Sequence, residues 1–407
     1  MRFRDALAGS GLGAIAEVKR RSPSAGELRP DADPARLAAQ FANAGAAAVS
    51  VLIDERFGGS FDDLRAARAA TSLPLLGKGF FTEELDLLKV KTAGADAALL
   101  LLRDLDDERA AALLSYAHAL GLETLVEAHD AAELERALAL GAPVVGINAR
   151  DLATFRIDRR VQLELVAETR RRAPDRVVVA ESGVGTRAQG AAAELAGADA
   201  ILVGSALMRA EDPAAKLTEL LARPLVKVCG LTRSEDVDVA VEAGADLLGF
   251  ILAEASPRRA VGVLDAPEEV LRVAVFVGEP EETQADLVQL YTHEEGRVRG
   301  REARLLRDGE TVAQVVDLPW DEPDPLHLQR AAEAEGRVML AGGLGPENVS
   351  HAVAAVRPWA VDAASQLERE PGIKDPDRVR AFVASARTAA QVPRSDVVPS
   401  PRSAEGP

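Results

Sequence analysis

Glu17, Lys19, Ser22 and Ser24 fall within eight residues of one another, in Ile15-Ala16-Glu17-Val18-Lys19-Arg20-Arg21-Ser22-Pro23-Ser24. The apolar residues ahead of them read as a strand, on which positions two apart share a face. Glu17 and Lys19 therefore leave the strand together, with two hydroxyls on the turn that follows. A carboxylate, an ammonium and hydroxyls at this spacing can hold an anion and hand it a proton. A charged strand end can also be merely solvated, and these residues alone leave both readings open.

Further apolar runs end in the same way. Leu73-Pro74-Leu75-Leu76-Gly77-Lys78 delivers a second lysine, Lys78, and Thr124-Leu125-Val126-Glu127 a carboxylate. Val144-Val145-Gly146-Ile147-Asn148 adds an amide, with Arg150 just beyond; Val177-Val178-Val179-Ala180-Glu181-Ser182-Gly183 adds a carboxylate and a hydroxyl. Ile201-Leu202-Val203-Gly204-Ser205 closes the series with a Gly-Ser turn. Glycines at the last two ends let backbone N–H groups approach a phosphate at a helix N-terminus. Each end singly reads as a solvated loop. Six in order do not.

The elements that position these ends announce themselves by a repeated junction, in which Gly45, Gly94, Gly141, Gly197 and Gly244 each follow an Ala/Leu-rich amphipathic stretch and precede an apolar one. A glycine there ends a helix, free to take positive φ. The continuously apolar strands suit a parallel sheet buried on both faces. The glycines are 49, 47, 56 and 47 residues apart, room for two βα units each. The predicted fold is α/β, with two (β/α)8 barrels in tandem and the second incomplete. A doubly wound sheet is the alternative, but its Gly-x-Gly-x-x-Gly does not follow the first strand.

The 407 residues accommodate two domains of about 200 each. A break near Ala222-Arg223-Pro224 gives domains at 1–222 and 225–387, and the Pro- and Ser-rich 388–407 reads as a disordered tail. A net charge of −17 argues against nucleic acid or an anionic membrane as partner. A small phosphorylated ligand in a locally positive pocket remains compatible. The single cysteine excludes an intramolecular disulfide and fits a reducing compartment. With no apolar run of ~18 residues and no signal peptide, the expected protein is cytoplasmic.

The motifs from Phe3 to Leu221, in their order, resemble indole-3-glycerol-phosphate synthase of tryptophan biosynthesis. The resemblance implies ring closure, decarboxylation and dehydration of 1-(2-carboxyphenylamino)-1-deoxyribulose 5-phosphate, without cofactor or metal; the expected protein is a monomer. It matches Lys78 to a general acid, Lys19 to a lysine meeting the substrate carboxylate, and Glu127 to an acid/base carboxylate. Glu17, Asn148 and Glu181 surround the reacting centre; Ser22, Arg150, Ser182, Gly183, Gly204 and Ser205 bind substrate and phosphate. Clustered lysines can have their pKa lowered towards neutrality. Two departures stand out. Gly79 replaces the acidic residue usual after the catalytic lysine, loosening the backbone that aims it, and the longer N-terminal helical extension common in the family is not present before Phe3.

From Val226 to Arg387 the chain resembles phosphoribosylanthranilate isomerase, through Val226-Lys227-Val228-Cys229-Gly230, Ser256-Pro257-Arg258, Leu340-Ala341-Gly342-Gly343 and Val361-Asp362-Ala363-Ala364-Ser365. The resemblance implies an Amadori rearrangement with Cys229 as base, a task that suits a thiolate if its surroundings lower its pKa. Arg258 would hold the anthranilate carboxylate, and Gly342, Gly343, Asp362 and Ser365 the phosphate. The middle departs: Gln289-Leu290-Tyr291-Thr292-His293 stands for the family's Gln-Leu-His-Gly, and Leu290 to Leu340 is short for a full set of βα units. Asp317 is the candidate acid; Arg297, Arg299, Arg301 and Arg304 read as a solvated face. Three readings follow: a bifunctional enzyme, a synthase with a decayed C-terminal docking module, or a non-catalytic phosphate-binding regulator.

Overall fold

The computed structural model describes residues 2–9, 11–22, 26–151, 154–292, 302–318 and 324–389. The chain divides into two compact units between Leu221 and Ala222. In the first, eight strands pair in sequence order, all parallel: Gly13–Val18, Ala48–Leu52, Leu75–Lys78, Ala97–Leu101, Glu123–Ala128, Val144–Asn148, Val177–Glu181 and Ala200–Val203. The barrel closes through Gly13↔Ala200 and Ile15↔Ala48. Its strands are buried along nearly their whole length because helices cover the outside.

Local chemistry sets the helix limits. Asp33, Ser60, Asp106, Asp130, Asp158 and Thr186 each accept a backbone N–H at a helix start, a cap worth ~1 kcal/mol. All five junction glycines take positive φ, from +69° at Gly141 to +105° at Gly197. The first four precede the even-numbered strands, so one glycine marks every second βα unit. The short helix Phe3–Leu7 buries Phe3 and Leu7 completely. Arg4 binds Glu123 and the Asp175 carbonyl, both at strand starts, so this helix lies at the end opposite the polar strand ends.

The second unit is also a closed eight-stranded barrel: Leu225–Cys229, Leu247–Ile251, Leu271–Val277, Leu287–Tyr291, Glu302–Arg307, Glu310–Val316, Val338–Leu340 and Ala360–Ala363. Its shortfall is in helices. Glu302–Arg307 runs antiparallel to both neighbours, so a hairpin does the work of βα units. The hairpin turns at Asp308-Gly309, both with positive φ (50° and 81°), the geometry Asp-Gly favours. Among the described residues no helix lies between Ile251 and Leu326, and strand Leu287–Tyr291 alternates buried and half-buried residues as a one-sided strand should.

The last helix, Pro376–Ala389, runs two residues into the predicted tail. Residues 390–407, with Ser24, His293, Arg297, Arg299 and Arg301, lie outside the described residues. Arg304 is exposed. Among the described residues no helix is long and apolar enough to cross a membrane.

Candidate active sites

Glu17, Lys78, Glu127 and Glu181 stand on the first, third, fifth and seventh strands of the first barrel, at or next to their C-terminal ends. Alternate strands of such a barrel fill the same interior layer, so residues distant in sequence meet. Lys78 Nζ lies 2.5 Å from Glu181 Oε2 and 3.6 Å from both Glu17 Oε2 and Glu127 Oε2. Lys19 Nζ reaches Glu17 Oε1 at 2.7 Å. Two glycines leave the room: a Cβ on Gly146 would collide with the Glu181 carboxylate, and one on Gly204 with that of Glu17.

Burial alone would push each of these groups towards neutrality. At Lys78 the pull of Glu181, Glu127 and Glu17 outweighs burial, and the ammonium is held above the ordinary lysine range. The expectation of a lowered lysine pKa is therefore overturned, because the charges nearest Lys78 are anions. At Glu17, burial is outweighed by Lys19 and Lys78, which hold it below the usual carboxylate range. Glu127 and Glu181 diverge. At Glu127, burial is overcome by Lys78, His129 and Asn148, whose Nδ2 donates to Oε1 at 2.8 Å, and its pKa falls to about 2. Glu181 is pushed up to about 8 by burial and the Glu127 charge, against Lys78. Its buried Oε1 has no donor among the described residues. One carboxylate is thus ionised beside another that keeps a proton, which is an acid and a base side by side.

A cavity of about 510 Å³ opens above this layer. Ser22, Asn148, Arg150, Ser182, Gly183, Gly204 and Ser205 line it, with Arg209, whose charge joins burial in lowering the Arg150 pKa. Phe57, Phe80, Phe155 and Ile157 line it too; Phe57 and Phe80 stack with centroids 6.4 Å apart, and the Arg56 guanidinium lies 3.9 Å from the Phe80 centroid. A Cβ on Gly79 would come within 2.8 Å of the Phe81 ring.

In the second barrel, Lys227 and Cys229 share the inner face of the first strand, where a Cβ on Gly249 would meet both. Lys227 Nζ binds Asp362 Oδ2 and Gln289 Oε1, each at 2.9 Å. The Asp362 side chain is therefore turned into the barrel and paired. Arg258 Nε donates to Glu368 at 2.8 Å, and Lys374 Nζ lies 2.8 Å from the same carboxylate. The Arg258 guanidinium expected to face substrate is thus engaged by a carboxylate of this chain. Burial raises the Cys229 pKa, and Asp362 adds to this, against Lys227 and Lys374. The surroundings therefore do not supply the lowered thiol pKa that would favour a thiolate at rest. Gly342 and Gly343 both take positive φ, in a turn held by Asn348 through Gly343 O and Gly345 N, each at 2.9 Å. Ser365 begins a short helical turn after the last strand.

A family model described as indole-3-glycerol phosphate synthase matches residues 1–220, more than half of the chain. The chain belongs to this family. A second model, N-(5'phosphoribosyl)anthranilate (PRA) isomerase, matches residues 324–385. Indole-3-glycerol phosphate synthase 2 of Streptomyces coelicolor is 48% identical over 220 residues, covering 54% of this chain and 84% of that protein. The tryptophan biosynthesis protein TrpCF of Yersinia pestis is 35% identical over 427 residues, covering 95% of this chain and 87% of that one. The solved phosphoribosyl anthranilate isomerase from Thermus thermophilus is 30% identical, covers 40% of this chain and 99% of its own, and has a TM-score of 0.32.

Among the described residues, the synthase residues singled out from sequence lie in the charged layer or on the cavity above it. Two others were missed. Arg209 ends a five-residue helix with no local signal. His129 had one, because it is two residues past Glu127, the spacing already used for Glu17 and Lys19. Its Nε2 lies 3.1 Å from Glu127 Oε1 and its Nδ1 2.9 Å from Glu133 Oε2. Burial would discharge it, but the two carboxylates raise its pKa to about 10. A raised folded pKa contributes stability that is complete below the unfolded value of about 6.5 and lost as pH climbs through the folded one. His129→Gln should therefore be less stable than the parent in mildly acid buffer, with the gap closing by about pH 10. Urea midpoints across that range check this; a gap independent of pH would refute the imidazolium.

Proposed function

We propose that the chain catalyses two consecutive steps of tryptophan biosynthesis. The second barrel isomerises N-(5-phosphoribosyl)anthranilate, and the first converts the product, 1-(2-carboxyphenylamino)-1-deoxyribulose 5-phosphate, to indole-3-glycerol phosphate. The observation that carries this reading is the charged layer of Glu17, Lys78, Glu127 and Glu181 beneath a cavity with both cationic and aromatic walls. In the first site the substrate carbonyl oxygen lies against the Lys78 ammonium, which gives it a proton as the ring carbon attacks, making it a hydroxyl, and is reprotonated from solvent. Lys19 meets the substrate carboxylate, which leaves as carbon dioxide. Glu181, holding its proton near neutrality, protonates the departing hydroxyl, and ionised Glu127 accepts the proton released as the indole forms. Ser22, Gly183, Gly204 and Ser205 hold the phosphate, with Arg150 and Arg209 supplying positive charge. Phe57 and Phe80 offer an apolar face to the anthranilate ring.

In the second site Asp317 protonates the ribose ring oxygen and Cys229 removes the proton next to the resulting imine. Gly342, Gly343 and Ser365 hold the phosphate. The reading has the protein working in the cytoplasm as a monomer on small phosphorylated substrates; the single cysteine fits a reducing compartment. Complementation of two tryptophan auxotrophs, one per step, tests it. Growth of both is expected. Rescue of the synthase strain alone would refute the isomerase half, and rescue of neither would refute the whole.

A further inference from the structure

Four buried side chains of the second barrel make one directed series of hydrogen bonds. Lys227 Nζ donates to Gln289 Oε1 at 2.9 Å, Gln289 Nε2 donates to the Tyr291 hydroxyl at 2.9 Å, and that hydroxyl donates to Asp317 Oδ2 at 2.5 Å. None of the four is more than 6% exposed. The direction is forced. An ammonium has only donors, so the oxygen of the Gln289 amide must face Lys227 and its NH2 must face Tyr291. The tyrosine oxygen then accepts from Gln289, and its single proton points at Asp317. Asp362 holds Lys227 charged at the head of the series, 2.9 Å away. Tyr291 stands where the isomerase resemblance expects the histidine of Gln-Leu-His-Gly, so this wiring belongs to the present chain.

We infer that Tyr291 is a positioning residue for the isomerase step, holding Asp317 through Oδ2 so that Oδ1 delivers the proton to the ribose ring oxygen. The inference rests on the isomerase half of the proposed function. As the C1–O bond breaks, its electron pair takes the Asp317 proton and the nitrogen lone pair forms the imine. The charge left on Asp317 is met by the tyrosine hydroxyl, which keeps its own proton throughout. A donor already aimed where charge develops needs no reorganisation.

The test uses the full chain and both assays. Tyr291→Phe should lower isomerase kcat roughly 10–100-fold, as loss of an orienting partner does, leaving KM and synthase turnover in the same sample unchanged. Gln289→Glu can still accept from Lys227 but offers the tyrosine an acceptor in place of a donor, drawing its proton away from Asp317. It should give a comparable loss, and the double variant should fall no lower than the worse single one. Isomerase kcat within twofold of the parent in Tyr291→Phe, or losses that multiply in the double variant, would overturn the inference while leaving the isomerase reading intact. A parent chain with no isomerase turnover would overturn both.

Discussion

Lys78→Met is expected to abolish synthase turnover, with a fall of at least 10²–10⁴-fold as estimated for a lost proton-transfer or charge-stabilising group. Methionine keeps the length of the side chain and removes only the ammonium that touches Glu181 and lies near Glu17 and Glu127. The same change leaves three buried carboxylates without their shared cation. Breaking a buried pair from one side costs about 3–5 kcal/mol, so the first unit should also melt earlier at neutral pH. The sign with pH follows. Without Lys78 the folded-state carboxylate pKa values rise, and a raised carboxylate loses stability as pH climbs above its unfolded value of about 4.3. The deficit should therefore shrink towards acid pH. Steady-state assays and denaturation at several pH values check both parts. Retained turnover would remove Lys78 from the chemistry, and a deficit that grows in acid would contradict the electrostatic account.

The second large effect is expected at Cys229. Cys229→Ser should lower isomerase turnover by about 10²–10⁴-fold, the range for a lost general base, and leave the synthase reaction untouched. Because the chain has one cysteine, any thiol reagent reports on this position alone. Burial holds the thiol above its ordinary pKa. Alkylation by iodoacetamide should therefore be slow at neutrality and quicken as pH rises into the alkaline range, with isomerase activity lost in step with label. Full isomerase activity in the alkylated or serine chain would exclude Cys229 as the base.

Much of the first barrel was legible because its signals are local and repeated. The junction glycines fall before every second strand, and the polar residues that matter fall at strand ends, where sequence order alone arranges them round a ring. The second barrel was legible at its two ends and misread in its middle. Asp308-Gly309, between stretches of alternating apolar residues, is a hairpin signal of the strongest short-range kind. A resemblance built on helical crossovers masks it, and a hairpin closes a barrel with far fewer residues. Lys227 and His129 each sit two residues from a residue singled out for chemistry, so period-two reasoning reaches them. Charge states were not legible. Whether Lys78 is pushed down by burial or up by its neighbours depends on three carboxylates from three other strands, which only the closed barrel brings together. The same holds for Cys229, where burial prevails over two nearby lysines.

The charged layer also bears on how far the first barrel can be hardened. A ring of ionised and half-ionised groups at the top of an otherwise aliphatic column is a poor use of interior space for folding, since well-packed apolar residues of similar volume often serve a core as well or better. Selection for heat tolerance alone would find some of its largest gains by making Glu17, Lys78, Glu127 and Glu181 aliphatic together, and would extinguish synthase activity in the process. Routes to a sturdier enzyme lie elsewhere, in the caps of the outer helices.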